Sequence, residues 1–371
     1  MVVRPARRSR ALLAALVALG VAGIVPAAPV AAGTAPSASA WVVVRDPGRT
    51  TPYTPRRADR STTGGSGIVV TRVAPGWWIV DLPGLDPLEA NYGHPQVSPM
   101  GTAPRTCWVE DWTGTGSWMR VGVRCALPSA PGTGADSRFV LTWVRDTYSP
   151  VLFPTFAYLW NSDAGSSGTP SSLYQHNAAG GLLASVVRSA PGRWFFTFPG
   201  IENARIVTVT PYGDAADCSV VGWSPTIGGD TEAEVACRAT DGSGAIDRQA
   251  NVFVGAAVPT TGFGRHGVTL WASAPTSSRY VPAAAYRWSS SGKAPRIVRN
   301  ARGAYTVYLR GQRPGGAAIV TPYGVAARHC QVGDIPRTSP ARVVVRCFRQ
   351  NGSPADAPFV LAWSGARIGI S

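Results

Sequence analysis

Lysine is almost missing from this chain: 34 of its 35 basic residues are arginine, and Lys293 is the single lysine. That skew reads as the mark of a GC-rich genome more than of selection for guanidinium chemistry. Histidine is scarce, and His94, His176, His266 and His329 offer no His-x-x-x-His pair. No two of the six cysteines stand at Cys-x-x-Cys spacing, so no metal site is expected. The Gly-x-Ser-x-Gly elbow of serine hydrolases does not occur. The 20 acids are scattered, without a cluster to supply the paired carboxylates of a glycosidase. Beyond residue 25 no apolar stripe runs at helical spacing, which argues against helical folds. Two short motifs are read as chance or as turns. Ser290 and Lys293 in "SSGK" have the Ser-x-x-Lys spacing of penicillin-recognising enzymes without the companion motifs. "DGSGAID" (241–247) lacks the terminal glutamate of a calcium loop. The expectation is a protein without catalysis, metal or cofactor.

What is present begins with a leader. Arg4, Arg7, Arg8 and Arg10 precede the apolar run "ALLAALVALGVAGIV", and small residues follow. This is the pattern of a signal peptide, 1–40, cleaved after Ala32 or Ala40, and too short in its apolar part for a comfortable membrane span. Its removal takes the formal net charge from +15 to +11. A basic exported chain is drawn to anionic surfaces such as cell-wall polymers, lipid headgroups or acidic glycans. The arginines are dispersed and no recognition helix or zinc finger is present, so nucleic acid is not an expected partner.

The remainder repeats. "TRVAPGWWIVDLPG" (71–84), "VRSAPGRWFFTFPG" (187–200) and "VRNARGAYTVYLRG" (298–311) are three versions of one phrase. Cys107, Cys218 and Cys330 lie 111 and 112 residues apart, and Cys125, Cys237 and Cys347 lie 112 and 110 apart. "VSPMG", "VTPYG" and "VTPYG" recur between phrase and cysteines, and "DSRFVLTW", "DRQANVFV" and "DAPFVLAW" close each unit. The boundaries fall at 41–154, 155–266 and 267–371, with the first unit the most divergent and carrying an Arg-rich insertion near "YTPRRADRS".

Aromatic and β-branched residues at period two, punctuated by Pro, Gly, Asn and Asp, predict short half-buried strands throughout. The expected fold is all-β: three tandem β-sandwich or small-barrel repeats, each with one intra-repeat disulfide, after a cleaved signal peptide. Six cysteines allow 15 pairings. The repeat selects Cys107–Cys125, Cys218–Cys237 and Cys330–Cys347. The Ala-x-Gly step of each phrase predicts a tight turn.

Two charges recur at one landmark in every unit: Arg72, Arg188 and Arg299 before the turn, and Asp136, Asp247 and Asp356 before the last strand. They are expected to form a structural ion pair in each unit, not a triplicated ligand site. Among 13 tryptophans, Trp108 and Trp118 lack counterparts and are the candidates for stacking on a ligand. Trp112 and Trp223 match each other, Ile335 takes their place in the third unit, and that substitution argues for packing.

The ordered set G-x-[WY]-x-V-x-[LF]-x-G, V-T-P-Y-G, C, V-x-C, D-x-x-F-V-L resembles tandem cysteine-paired β-repeats of secreted actinobacterial proteins, an uncharacterised family. It covers residues 41–371 and departs most in the first unit, where "VSPMG" replaces "VTPYG". The resemblance implies export and repetition. The leading functional hypothesis is a secreted, non-catalytic protein that binds an anionic or carbohydrate ligand of the cell envelope or extracellular space, such as a wall polysaccharide. The alternative is a structural or interaction protein whose repeats pack about a pseudo-threefold axis. An extracellular hydrolase ranks third.

Overall fold

In Arg193–Phe198 the residues Trp194, Phe196 and Phe198 are buried while Arg193, Phe195 and Thr197 are half-buried, the alternation of a strand with one face on a core. The computed structural model describes residues 38–65, 67–85, 93–145, 156–262 and 266–365. Over these the regular structure is strand, apart from three one-turn 3₁₀ segments. The leader, with Ala32, lies outside the described residues.

Unit 1 contains β1 (Ala38–Val44), β2 (Arg60–Thr62), β3 (Val69–Ala74), β4 (Trp77–Pro83), β5 (His94–Met100), β6 (Thr106–Gly114), β7 (Trp118–Leu127), β8 (Ala130–Gly134) and β9 (Arg138–Arg145). Unit 2 contains β10 (Phe156–Asn161), β11 (Gln175–Asn177), β12 (Ser185–Ala190), β13 (Arg193–Phe198), β14 (Ile206–Pro211), β15 (Asp217–Pro225), β16 (Thr231–Arg238) and β17 (Ala250–Gly255). Unit 3 contains β18 (Gly267–Ala272), β19 (Arg279–Tyr280), β20 (Arg287–Ser289), β21 (Arg296–Ala301), β22 (Ala304–Tyr308), β23 (Ala317–Pro322), β24 (Arg328–Asp334), β25 (Arg342–Arg349) and β26 (Phe359–Ser364). Because β1 starts at Ala38, its first three residues precede the unit boundary placed at 41.

Each unit is a sandwich of two antiparallel sheets in one strand order. The inner sheets run β2-β1-β9-β5, β11-β10-β17-β14 and β20-β18-β26-β23, and β5 also pairs in parallel with β24 at Met100 and Val332, which joins the first inner sheet to the third outer sheet. The outer sheets run β3-β4-β7-β6, β12-β13-β16-β15 and β21-β22-β25-β24, with β8 added on β7 and β19 on β21. Trp78, Val80, Leu82, Phe139, Leu141 and Trp143 fill the first core, and Trp194, Phe196, Phe198, Val207 and Val252 belong to the second. Inner strands such as β1 and β14 are buried on both faces, so they lack the polar alternation of the outer strands. Their second face packs on a neighbouring unit: Val144, Phe156, Tyr158, Ile206, Phe253 and Val360, from three units, form one cluster.

The disulfides join Cys107–Cys125, Cys218–Cys237 and Cys330–Cys347 at directly opposed positions of the outer hairpins, with Cα separations of 4.1, 4.0 and 4.1 Å.

The recurring phrase builds a lock around each second cysteine. Gly76, Gly192 and Gly303 sit at φ +71°, +67° and +64°. A Cβ there would come within 2.4, 2.6 and 2.4 Å of the carbonyl oxygens of Cys125, Cys237 and Cys347, so only glycine fits. Each of these glycine carbonyls accepts from the N–H of the same cysteine, at 2.8, 2.9 and 2.9 Å. Each glycine N–H donates to the recurring aspartate, at 3.0 Å on Asp136, 2.8 Å on Asp247 and 2.9 Å on Asp356. Arg72, Arg188 and Arg299 clamp those carboxylates, with Nη2 to Oδ2 distances of 2.8, 2.7 and 2.8 Å. Arginine, glycine, cysteine and aspartate recur together because they touch each other.

Candidate functional site

The strongest clustering of functional-group chemistry lies where the units meet. Strands β5, β14 and β23 are the last strands of the inner sheets within their units, and apart from the single bridge of β5 to β24 the backbone groups on their outer sides need partners from another unit. Val97 N–H donates to Thr210 Oγ1 at 3.2 Å, and the same hydroxyl donates to Val97 O at 3.4 Å. Thr321 does the same for Val209, at 3.2 and 3.3 Å, and Ser98 does it for Val320, at 2.9 and 3.3 Å. A hydroxyl donates and accepts through one oxygen on a short side chain, which accounts for V-[ST]-P in all three units. The prolines that follow, Pro99, Pro211 and Pro322, are tolerated because the strand is an edge.

A second cycle runs beside the first. Gly213 N–H donates to Val109 O at 2.9 Å, Gly324 N–H to Val220 O at 2.8 Å and Gly101 N–H to Val332 O at 2.8 Å. Unit 2 thus bonds to unit 1, unit 3 to unit 2, and unit 1 to unit 3. The chain closes on itself with pseudo-threefold symmetry.

Aromatic side chains fill two of the three junctions. Trp112 of unit 1 enters a nest of Trp160, Tyr174 and Tyr212, with ring centroids 5.4, 5.7 and 5.2 Å away. Trp223 of unit 2 enters Trp271, Tyr286 and Tyr323 at 5.9, 5.7 and 5.7 Å. All six contacts are edge-to-face, the favoured aromatic geometry. At the third junction the equivalent residues are Ile335, Val43, Asp59 and Met100. Buried Asp59 there accepts from Arg45 Nε at 2.9 Å and from Arg337, and Arg45 also reaches Asp334 at 3.1 Å. A cavity of about 390 Å³ opens beside it, with Arg49, Tyr53 and Arg56 on its wall. "YTPRRADRS" is therefore no insertion. Its 3₁₀ turn Arg57–Asp59 is the counterpart of Ser172–Tyr174 and Ala284–Tyr286.

Near the axis the residues preceding the first cysteines, Thr106, Asp217 and His329, border a cavity of about 30 Å³. His329 Nδ1 lies 3.1 Å from Asp217 Oδ1 and its Nε2 lies 3.1 Å from Gln331 Oε1. Burial opposes charging this imidazole, but hydrogen bonding and charge from Asp217, with Gln331, outweigh it and raise the pKa. A histidine held by a carboxylate is the base and orienter of a hydrolytic triad. This pair sits in a space with room for about one water, too small for a substrate. His94 is stacked on Tyr158 at 4.9 Å with neither nitrogen hydrogen-bonded among the described residues, and burial pushes its pKa down to about 3. His176 is half-buried, and desolvation lowers its pKa to about 4.

Of the two tryptophans proposed for ligand stacking, Trp108 is 5 % exposed, packs on Ala126 and Ala215, and donates from Nε1 to Glu110 at 3.0 Å. Trp118, 39 % exposed, is the one with an accessible face. Among the described residues no three His, Cys, Asp or Glu side chains gather as a metal site, and no helix is long and apolar enough to cross a membrane. The junction residues Tyr174 and Tyr286 escaped the sequence reading, although Pro-x-x-x-[YD] recurs as Pro55–Asp59, Pro170–Tyr174 and Pro282–Tyr286.

Comparison with known proteins adds no relative: no family model, no curated protein and no solved structure matches the chain.

Proposed function

We propose that the chain is an exported, non-catalytic scaffold, an interaction protein in which three units pack about a pseudo-threefold axis and present their outer sheets and loops in fixed relation. The observation that carries this reading is the hydroxyl cycle Ser98–Val320, Thr321–Val209, Thr210–Val97, which commits each inner edge to a neighbouring unit. Three disulfides support export, since such bonds persist in oxidising compartments. The basic leader with its apolar run and small residues supports it too.

A second reading, binding of an anionic or carbohydrate ligand of the cell envelope, is favoured by the arginine excess and by a groove with Arg296 and Arg310 on its wall. One experiment serves both. The mature protein is passed over immobilised acidic and neutral wall polysaccharides at low and high salt, and the polymers are assayed for shortening. Retention on acidic polymers that salt weakens, without shortening, is expected. Depolymerisation would contradict the non-catalytic reading, and passage through every column would contradict the ligand.

A further inference from the structure

Strand positions that hold acids in units 1 and 2 hold none in unit 3. Asp81 of β4 pairs with Arg120 of β7 at 2.8 Å, and Thr197 of β13 lies opposite Glu232 of β16. The same register in unit 3 sets Tyr308 opposite Arg342. Beside Tyr308 lies a groove of about 450 Å³, within the size range of small-ligand sites. Arg296, Tyr308, Arg310, Gln312 and Ser339 are on its wall, and no acid lines it.

Neither lining arginine forms an ion pair among the described residues. The Arg296 guanidinium lies over the Tyr308 ring, 4.9 Å from its centroid, and its buried Nε has no hydrogen-bond partner among the described residues. Arg310 is exposed and forms no ion pair among the described residues. The loop that carries Arg310 is braced by the turn "SSSGK". Ser291 Oγ donates to Arg310 O at 2.7 Å, and Gln312 Nε2 donates to Ser289 Oγ at 3.2 Å and Ser290 Oγ at 3.0 Å. A Cβ on Gly311 would stand 3.1 Å from Lys293 Cδ, so the chain's single lysine adds its charge at this edge. By contrast, the arginines at the floor of the third junction, Arg45 and Arg337, are held by Asp59.

We propose that the groove lined by Arg296, Arg310, Tyr308, Gln312 and Ser339 binds an anionic sugar unit. Guanidinium forks suit phosphate and carboxylate oxygens, while the side-chain carbonyl of Gln312 and the Ser339 hydroxyl suit sugar hydroxyls. The site rests on the ligand-binding reading above and not on the ring.

The test is calorimetric titration of the mature protein with glucose 6-phosphate, glucuronate and glucose at low salt. At least one charged sugar is expected to bind about tenfold more tightly than glucose, and the tighter of the two identifies phosphate or carboxylate as the source of the charge. Arg310→Ala, a surface change, and Arg296→Ala/Arg310→Ala are each expected to weaken that binding, the double variant by about tenfold or more. Arg49→Ala/Arg56→Ala, which removes equal charge elsewhere, is expected to leave it within about twofold. Equal binding by the double variant and the wild type would overturn the site alone. So would an equal loss in the Arg49/Arg56 variant, since charge attraction without a site would then suffice. Wild-type protein that fails to prefer the charged sugars would overturn the site, whereas the ligand-binding reading stands or falls on retention by the polysaccharide columns.

Discussion

The hydroxyl of Thr321 bridges both backbone groups of Val209, accepting from its N–H at 3.2 Å and donating to its carbonyl at 3.3 Å, across 112 residues of sequence. One side chain thereby finishes an edge strand that another unit leaves open. Because the site is buried, removing the hydroxyl strands a donor and an acceptor together.

Thr321→Val, which keeps the shape, is expected to lower stability by about 2–4 kcal/mol, the cost of two unsatisfied buried groups. Thr321→Ser should cost less than about 1 kcal/mol, because Ser98 already performs this task at the equivalent position. Urea unfolding midpoints of the two variants give the comparison, and equal losses would argue against a hydroxyl-specific role.

The locks around the second cysteines set an acid limit. The Arg188 hydrogen bond holds Asp247 below the usual carboxylate range, against the opposing effect of burial. For Asp136, burial pushes upward but Arg72 and the Gly76 N–H prevail, and Arg299 brings Asp356 down to about 2. A carboxylate with a lowered folded pKa stabilises above its unfolded value near 3.8 and loses that contribution as pH falls through the folded value. Stability should therefore drop between pH 4 and about 2, and Asp356→Asn should flatten that fall, as read from denaturant midpoints across the range.

The neutral histidines act at milder pH. With His94 lowered to about 3 by burial, the unfolded chain takes up a proton near pH 6.5 that the folded chain refuses. Stability present above pH 6.5 is lost as pH falls toward 3, on the order of a few kcal/mol by pH 4, with His176 adding in the same direction. His329, whose pKa is raised, stabilises fully below pH 6.5 and loses its contribution as pH rises through its folded value, so the two windows separate. His94→Phe is expected to reduce the slope of stability between pH 6 and 4, and an unchanged slope would place the titration elsewhere.

Cleavage of the leader after Ala40 would remove Ala38, Ser39 and Ala40, which pair with Arg145, Val144 and Trp143 in β9. Ser39 also exchanges hydrogen bonds with Thr63. The mature N-terminus is therefore expected at Gly33, after Ala32, and N-terminal sequencing of exported protein that began at Trp41 would contradict this.

The strands and disulfides were legible because their signals are local or threefold. Trp194, Phe196 and Phe198 alternate visibly, and each cysteine has two counterparts that restrict its pairing. The ion pairs were legible for the same reason, as charges returning at one landmark. The junctions were not. Trp112 and Trp223 looked like core because an interface buried within one chain has the composition of a core, and Tyr174 sits in a turn whose period is hidden by its varied neighbours. Thr210 and Thr321 read as ordinary strand residues, since which edge they finish depends on a contact some 112 residues away. The breakdown of symmetry at Asp59 was visible as an unmatched arginine-rich stretch, but only the equivalence of its 3₁₀ turn with those of Tyr174 and Tyr286 shows what it replaces.

Closure of the three sandwiches into a single cooperative body is tested most directly by scanning calorimetry of the mature, disulfide-intact chain. A closed ring should unfold in one transition whose van 't Hoff enthalpy equals the calorimetric enthalpy. Separate transitions, or a van 't Hoff enthalpy near one third of the calorimetric value, would mean that the units melt independently and that the hydroxyl cycle does not couple them.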